Sequence, residues 1–177
     1  MSDDLKFQNS LNSVLNYFDA TYALAHIDRY SMEPVIKHET VAEHSYFVAL
    51  CVVLLHDIYY FDLPLALLAA ICHDVPEMEI SDVNHVVKKR YPEIAQAIKS
   101  AETDIISRMP PTLKTGAELY NTMSTEAQIV HLADAMQCMQ YSQCEMKLGN
   151  TGYMVDVYQN SKERAAIIHE ELKGSRR

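Results

Sequence analysis

The sequence predicts an all-α fold, a single-domain bundle of about six or more helices. Three observations carry this: apolar residues recur at helical rather than alternating spacing, Gly and Pro are scarce at 4 and 6, and 49% of the 177 residues are hydrophobic. A domain of this length buries about 70% of the surface its unfolded chain exposes. No repeat, linker or low-complexity stretch marks a second unit, so one domain is expected over residues 1–177.

The first periodic segment runs from about Leu5 to His26, with Leu11, Val14, Leu15, Phe18 and Tyr22 on one stripe, and reads as an amphipathic helix packed on the core. A polar connector, Asp28 to Glu39, ends at a capping signature, Thr40-x-x-Glu43, so a helix starts near Val41 and carries His44 near its first turn. It continues through Phe47, Val48, Cys51, Val52 and Leu55 toward Ile58. Asp62 and Pro64 signal the start of another helix, which reaches His73-Asp74 before Pro76. The stretch from Val75 to Val87 looks irregular. Tyr91-Pro92-Glu93 opens a fourth helix toward Met109, stopped by Pro110-Pro111, and a variable stretch follows. Thr125-x-x-Gln128 caps a long helix ending near Gly149, and a last helix spans about Gly152 to Leu172.

Composition excludes several functions. A net charge of −9 argues against a nucleic-acid polymer as partner, since such proteins show a basic face, although local cations still permit a small anionic ligand. Val48 to Leu55, the most apolar stretch, is far shorter than the ~20 residues that span a bilayer, so no membrane is expected. MSDDLKFQNS lacks the cationic and apolar pattern of a signal peptide. Cys51, Cys72, Cys138 and Cys144 form no Cys-x-x-Cys pair and read as thiols of a reducing cytoplasm.

One constellation carries chemistry: His44, then adjacent His73-Asp74, then Asp134 among the apolar residues of Ile-Val-His-Leu-Ala-Asp-Ala-Met. Two imidazoles and two carboxylates suit a divalent metal with open positions for water and substrate. Asp134 also has a bland reading, a buried carboxylate paired with a buried cation. The dipeptide alone is weak, because His56-Asp57 repeats it without an acidic neighbourhood and reads as a histidine at a helix C-terminus. His73-Asp74 is followed by Glu77, Glu79 and Asp82, acids able to orient water and move protons.

These residues resemble the HD-domain phosphohydrolases, whose pattern is H…HD…D, and among them the bacterial and phage 5′-deoxynucleotidases and their small deoxynucleoside triphosphate hydrolase relatives. Four collinear blocks carry the resemblance over about 27–145: Ile27-Asp28-Arg29-Tyr30, Glu39 to Ser45, His73 to Asp82, and Leu132-Ala133-Asp134-Ala135. The resemblance implies an HD-domain helical bundle with His44, His73, Asp74 and Asp134 holding the metal. It implies Glu77 as the acid that orients or activates water, Asp82 as a second acid at the sugar and scissile phosphate, and Arg29 as a nucleotide contact. Tyr30 stands where many members have a tryptophan against the sugar. Ser81-Asp82-Val83-Asn84-His85-Val86-Val87-Lys88 keeps the Asp and Lys of a Gly-Asp-x-Pro-x-x-x-Lys stretch and loses its Gly and Pro.

The implied reaction is water attack at the α-phosphorus of a deoxynucleotide, releasing phosphate from a monophosphate or triphosphate from a triphosphate. Histidine and carboxylate ligands fit Mn²⁺, Co²⁺, Fe²⁺ or Mg²⁺. Lys37 and His38 before the first ligand, and His85, Lys88, Lys89 and Arg90 after the acids, are candidate phosphate contacts. Members of the family are often homo-oligomers, and apolar residues on the first and last helices offer an interface. The alternatives are an HD hydrolase of a signalling nucleotide and a non-catalytic metal-binding helical protein.

Overall fold

The computed structural model describes residues 3–176. Its helices are α1 (Asp3–Thr21), α2 (Val41–Leu55), α3 (Leu63–Cys72), α4 (Glu77–Ile80), α5 (His85–Arg90), α6 (Pro92–Arg108), α7 (Pro111–Tyr120), α8 (Thr125–Lys147) and α9 (Tyr153–Glu171), with 3-10 segments at Tyr22–His26 and Leu172–Ser175. No strand forms among the described residues, and none of the described helices is long and apolar enough to cross a membrane.

The main core is built by α2, α3, α8 and α9: Val48, Val52 and Leu55 meet Ala66, Ala69 and Ala70, Ile129, Leu132 and Ala133, and Ile168. The small alanines of α3 let its neighbours approach closely. Gly116 of α7 marks a second close approach. A Cβ there would lie 2.7 Å from the Leu68 carbonyl oxygen and 2.8 Å from Cys72 Sγ, so only glycine lets α7 lie flat on the end of α3.

Local signals set several boundaries. The Thr40 hydroxyl accepts from Glu43 N–H while the Glu43 carboxylate accepts from Thr40 N–H, a complete capping box at α2. Asp62 caps α3, and Gly149 takes φ 106° just past α8.

Other expectations are corrected. The first helix stops at Thr21 and gives way to a 3-10 turn. Its stripe does not pack on the core: Val14, Leu15 and Phe18 are all more than 60% exposed, because α2, α3, α8 and α9 close the core among themselves. The stretch from Val75 to Val87 contains α4 and the start of α5, the latter capped by the Asn84 side chain accepting from Val86 N–H. Pro111 not only ends α6 but opens α7 at a position where a missing N–H costs nothing. The cap of α8 is Ser124, whose hydroxyl accepts from Ala127 N–H, with Thr125 already helical.

Candidate metal centre and active-site cavity

Three helices deliver one cluster. α2 brings His44 from its first turn, the C-terminal end of α3 brings His73 and Asp74, and the middle of α8 brings Asp134. His44 Nε2 lies 3.3 Å from His73 Nε2, 3.4 Å from Asp134 Oδ1 and 3.5 Å from Asp74 Oδ2, and His73 Nε2 lies 3.1 Å from Asp74 Oδ2. Donors bound to one divalent ion at about 2.0–2.2 Å stand about 3.0–3.5 Å apart across an octahedral or tetrahedral edge. His44, His73 and Asp134, all buried, could hold a common ion, and the Asp74 carboxylate stands beside the two imidazoles.

The imidazoles are turned to the right edge. His73 Nδ1 donates to the Ala70 carbonyl oxygen at 2.7 Å, which leaves its Nε2 lone pair facing the cluster, while His44 Nδ1 lies 2.7 Å from Gln137 Oε1 and 2.5 Å from Arg29 Nη1, with Nε2 turned toward the cluster. Gln137 is itself held by donating to Glu39 Oε1 at 2.6 Å. Asp134 uses its other oxygen, Oδ2, to accept from Arg164 Nη1 at 2.9 Å. The bland and functional readings of this aspartate thus coincide: a cation compensates one oxygen while the other faces the cluster. Burial opposes charge on His73, yet the Asp74 carboxylate beside it raises its pKa, and His73 in turn lowers that of Asp74 against the effect of burial.

A cavity of about 710 Å³ opens over the cluster, lined by Arg29, Tyr30, Glu77, Asp82 and Lys88 among others. Burial, followed by repulsion from Asp74 and Asp82, pushes the Glu77 carboxyl up to about 8. Glu77 Oε2 is buried without a hydrogen-bond partner, an acceptor left open beside the donor set. Ser81 adopts φ 63°, the left-handed region that suits the glycine of the resembling stretch, and Tyr30 adopts φ 57°, so strained backbone flanks this cavity twice. Asn84 replaces the proline of that stretch and earns its place as the α5 cap.

Arg29 and Tyr30 reach the cavity because an antiparallel bridge, Asp28 to Thr40, folds the connector back onto the start of α2. Arg29 is tied inward, Nη1 approaching Glu39 Oε2 at 3.4 Å and Gln137 Oε1 at 3.3 Å. Lys37 and His38 do not line the cavity, contrary to expectation. Buried Glu145 accepts from the N–H groups of Ile36 and Lys37 at 2.7 Å each, pinning this turn elsewhere, and His38 pairs with Asp28 at 3.2 Å. His85, Lys89 and Arg90 do line it.

Sequence reading missed Gln137, Arg164, Tyr120 and Tyr153. Gln137 follows Asp134 by one helical turn, a same-face spacing that could have flagged it. Nothing local marks Arg164, whose role depends on how α9 lies on α8.

Solved structures share the architecture. A crystal structure of an HD-domain phosphohydrolase from Listeria innocua has a TM-score of 0.72 at 20% identity, covering 90% of this chain and 82% of that one. A protein of Pyrococcus horikoshii gives 0.76 at 21% over 89% and 94%, and a conserved hypothetical protein of Pyrococcus furiosus gives 0.72 at 24% over 90% and 91%. No curated protein shows a significant match. The model of the YfbR-like 5′-deoxynucleotidases matches residues 16–173, a span that holds His44, His73, Asp74, Glu77 and Asp134. With the family model spanning most of the chain, the protein belongs to the YfbR-like 5′-deoxynucleotidase family.

Proposed function

We propose that the protein hydrolyses the 5′-phosphate ester of deoxynucleoside monophosphates to a deoxynucleoside and phosphate. The observation that carries this reading is the unpartnered, buried Glu77 Oε2 in the cavity over the His44, His73 and Asp134 cluster, with the family match supplying the substrate class. His44, His73, Asp74 and Asp134 would hold a divalent ion, Mn²⁺, Co²⁺, Fe²⁺ or Mg²⁺, which when bound would supply Lewis acidity to the phosphate and the attacking water. Glu77 Oε2 would orient that water and accept its proton. Asp82 lines the same cavity and would serve as the second acid, at the sugar and scissile phosphate, while Arg29 and Lys88 would contribute positive charge. Tyr30 bounds the pocket near the sugar.

A second reading, a deoxynucleoside triphosphate losing triphosphate, is favoured by His85, Lys88, Lys89 and Arg90, which give the cavity a basic rim able to take β- and γ-phosphates. Purified protein given each metal with each deoxy- and ribonucleotide decides between them. Inorganic phosphate from monophosphates is expected, whereas triphosphate release would replace the first reading by the second. Glu77→Ala is expected to keep metal and lose turnover; full activity would remove Glu77 from the mechanism.

A homo-oligomer is also proposed. Exposed Val14 and Phe18 on α1, with Tyr46, Phe47 and Leu54 on α2, form apolar surface that a second copy would cover, and sedimentation should report more than one chain per particle. The free cysteines fit a reducing cytoplasm.

A further inference from the structure

Helix α9 turns one face to the cavity: Tyr153, Asp156, Val157, Asn160, Ser161 and Arg164, spaced as successive turns of a helix require. Its two ends differ in chemistry. Arg164 stands at the donor cluster, Nη1 donating to Asp134 Oδ2 at 2.9 Å and Nη2 approaching His131 Nδ1 at 3.4 Å, yet its side chain lines the cavity and remains 46% exposed, and a guanidinium carries five N–H donors. Tyr153 stands at the far end, where it meets the ring of Tyr30 edge-on, centroids 6.4 Å apart. Between them, the Asn160 and Ser161 side chains make no hydrogen bond among the described residues. About 16 Å of helix axis separates Tyr153 from Arg164, enough for one wall to run from phosphate to base.

The pair that the resemblance assigns to the nucleotide is committed elsewhere. The Arg29 side chain is 16% exposed and turns its donors to His44, Glu39, Gln137 and Cys138. The Tyr30 ring stacks flat on Tyr141, 5.2 Å between centroids at 2°, which covers one of its faces. An Arg and a Tyr with free surface are found on α9 instead.

We propose that this face of α9 is the substrate-reading wall of the cavity: Arg164 donates to a non-bridging oxygen of the scissile phosphate, Tyr153 packs against the nucleoside, and Asn160 hydrogen-bonds between them. The proposal rests on the deoxynucleotide reading above and names the residues that recognise the part of the substrate beyond the phosphate.

Two substrates separate its parts: deoxyadenosine monophosphate, and p-nitrophenyl phosphate, which carries the ester without a nucleoside. Tyr153→Leu should lower kcat/KM for the nucleotide about 10-fold through KM, leave p-nitrophenyl phosphate within about 2-fold, and weaken deoxyadenosine binding seen by saturation-transfer NMR without turnover. Tyr153→Phe should retain all three. Arg164→Ala at saturating Mn²⁺ should raise KM for both substrates and the inhibition constant of inorganic phosphate about 10-fold or more. Recovery of wild-type values on saturation with Mn²⁺ would reduce Arg164 to positioning Asp134 and overturn its phosphate contact. Nucleotide turnover and deoxyadenosine binding unchanged in Tyr153→Leu would overturn the nucleoside wall alone, whereas a wild type that cleaves p-nitrophenyl phosphate and no nucleotide would overturn the deoxynucleotide reading itself.

Discussion

His56-Asp57 and His73-Asp74 are the same dipeptide in the same local setting, each histidine at the C-terminal cap of a helix, α2 and α3 respectively. Both imidazoles share whatever the helix dipole offers. What differs is the third element. The end of α3 points at α8, which supplies Asp134, and lies beside the start of α2, which supplies His44, so His73 Nε2 faces donors from three helices. The end of α2 contributes no donor to that cluster. His56 meets the ring of Phe61 edge-on at 5.1 Å, and Asp57 is exposed. A metal-type site is therefore a property of where helix ends converge and not of the residues at any one end.

A series of five substitutions tests that contrast, beginning with the largest expected effect. His73→Ala removes a donor from the cluster and should lower turnover by about 10³-fold or more with loss of Mn²⁺ binding by calorimetry. Comparable loss from His56→Ala would dissolve the distinction between the two pairs. Gln137→Leu leaves every donor in place and frees the His44 ring to turn, so metal affinity should fall about 10–100-fold while the fold survives by circular dichroism.

Glu77→Gln probes the acid that only the second pair possesses. The folded protein holds a proton on Glu77 up to about 8, against 4.5 for the ordinary carboxyl. Its contribution to stability is thus fully present below about pH 4.5 and is lost as pH rises to about 8, because the unfolded chain ionises first. The metal-free Glu77→Gln variant escapes this loss, so its Tm should exceed that of wild type by a margin that widens between pH 5 and 8. A widening of about 2–4 °C, the effect of ~1 kcal/mol in a chain this size, is expected in a calorimetric pH series. A margin independent of pH would show that Glu77 is ordinary. The smallest effect belongs to Asp57→Asn, where turnover and metal affinity should stay within about 2-fold of wild type.

The strongest local signals were legible without coordinates. The Thr40 and Glu43 box, the Asp62 cap and Gly149 beyond α8 rest on hydrogen bonds or dihedrals within a few residues, and each appears where the pattern places it. Helix α7 was not legible, since its reason for existing is the fit of Gly116 against Leu68 and Cys72, more than forty positions away. The stripe of α1 misled for the opposite reason. Periodicity shows that a helix has an apolar face and is silent on which surface covers it, and here the core closes without it.

The same division runs through the site. His44, His73, Asp74 and Asp134 could be selected from the sequence because ligand chemistry depends on residue type, and the motif order along the chain preserves it. Glu77 and Asp82 followed because they sit within a few residues of the pair. Tertiary structure alone decided that Lys37 and His38 turn away under Glu145, that Gln137 reaches His44 across 93 positions, and that Arg164 of α9 completes Asp134. Chain spacing encodes which groups are available. Only the packing of α2, α3, α8 and α9, driven by apolar burial that takes no account of the polar faces it aligns, determines which of those groups share a cavity.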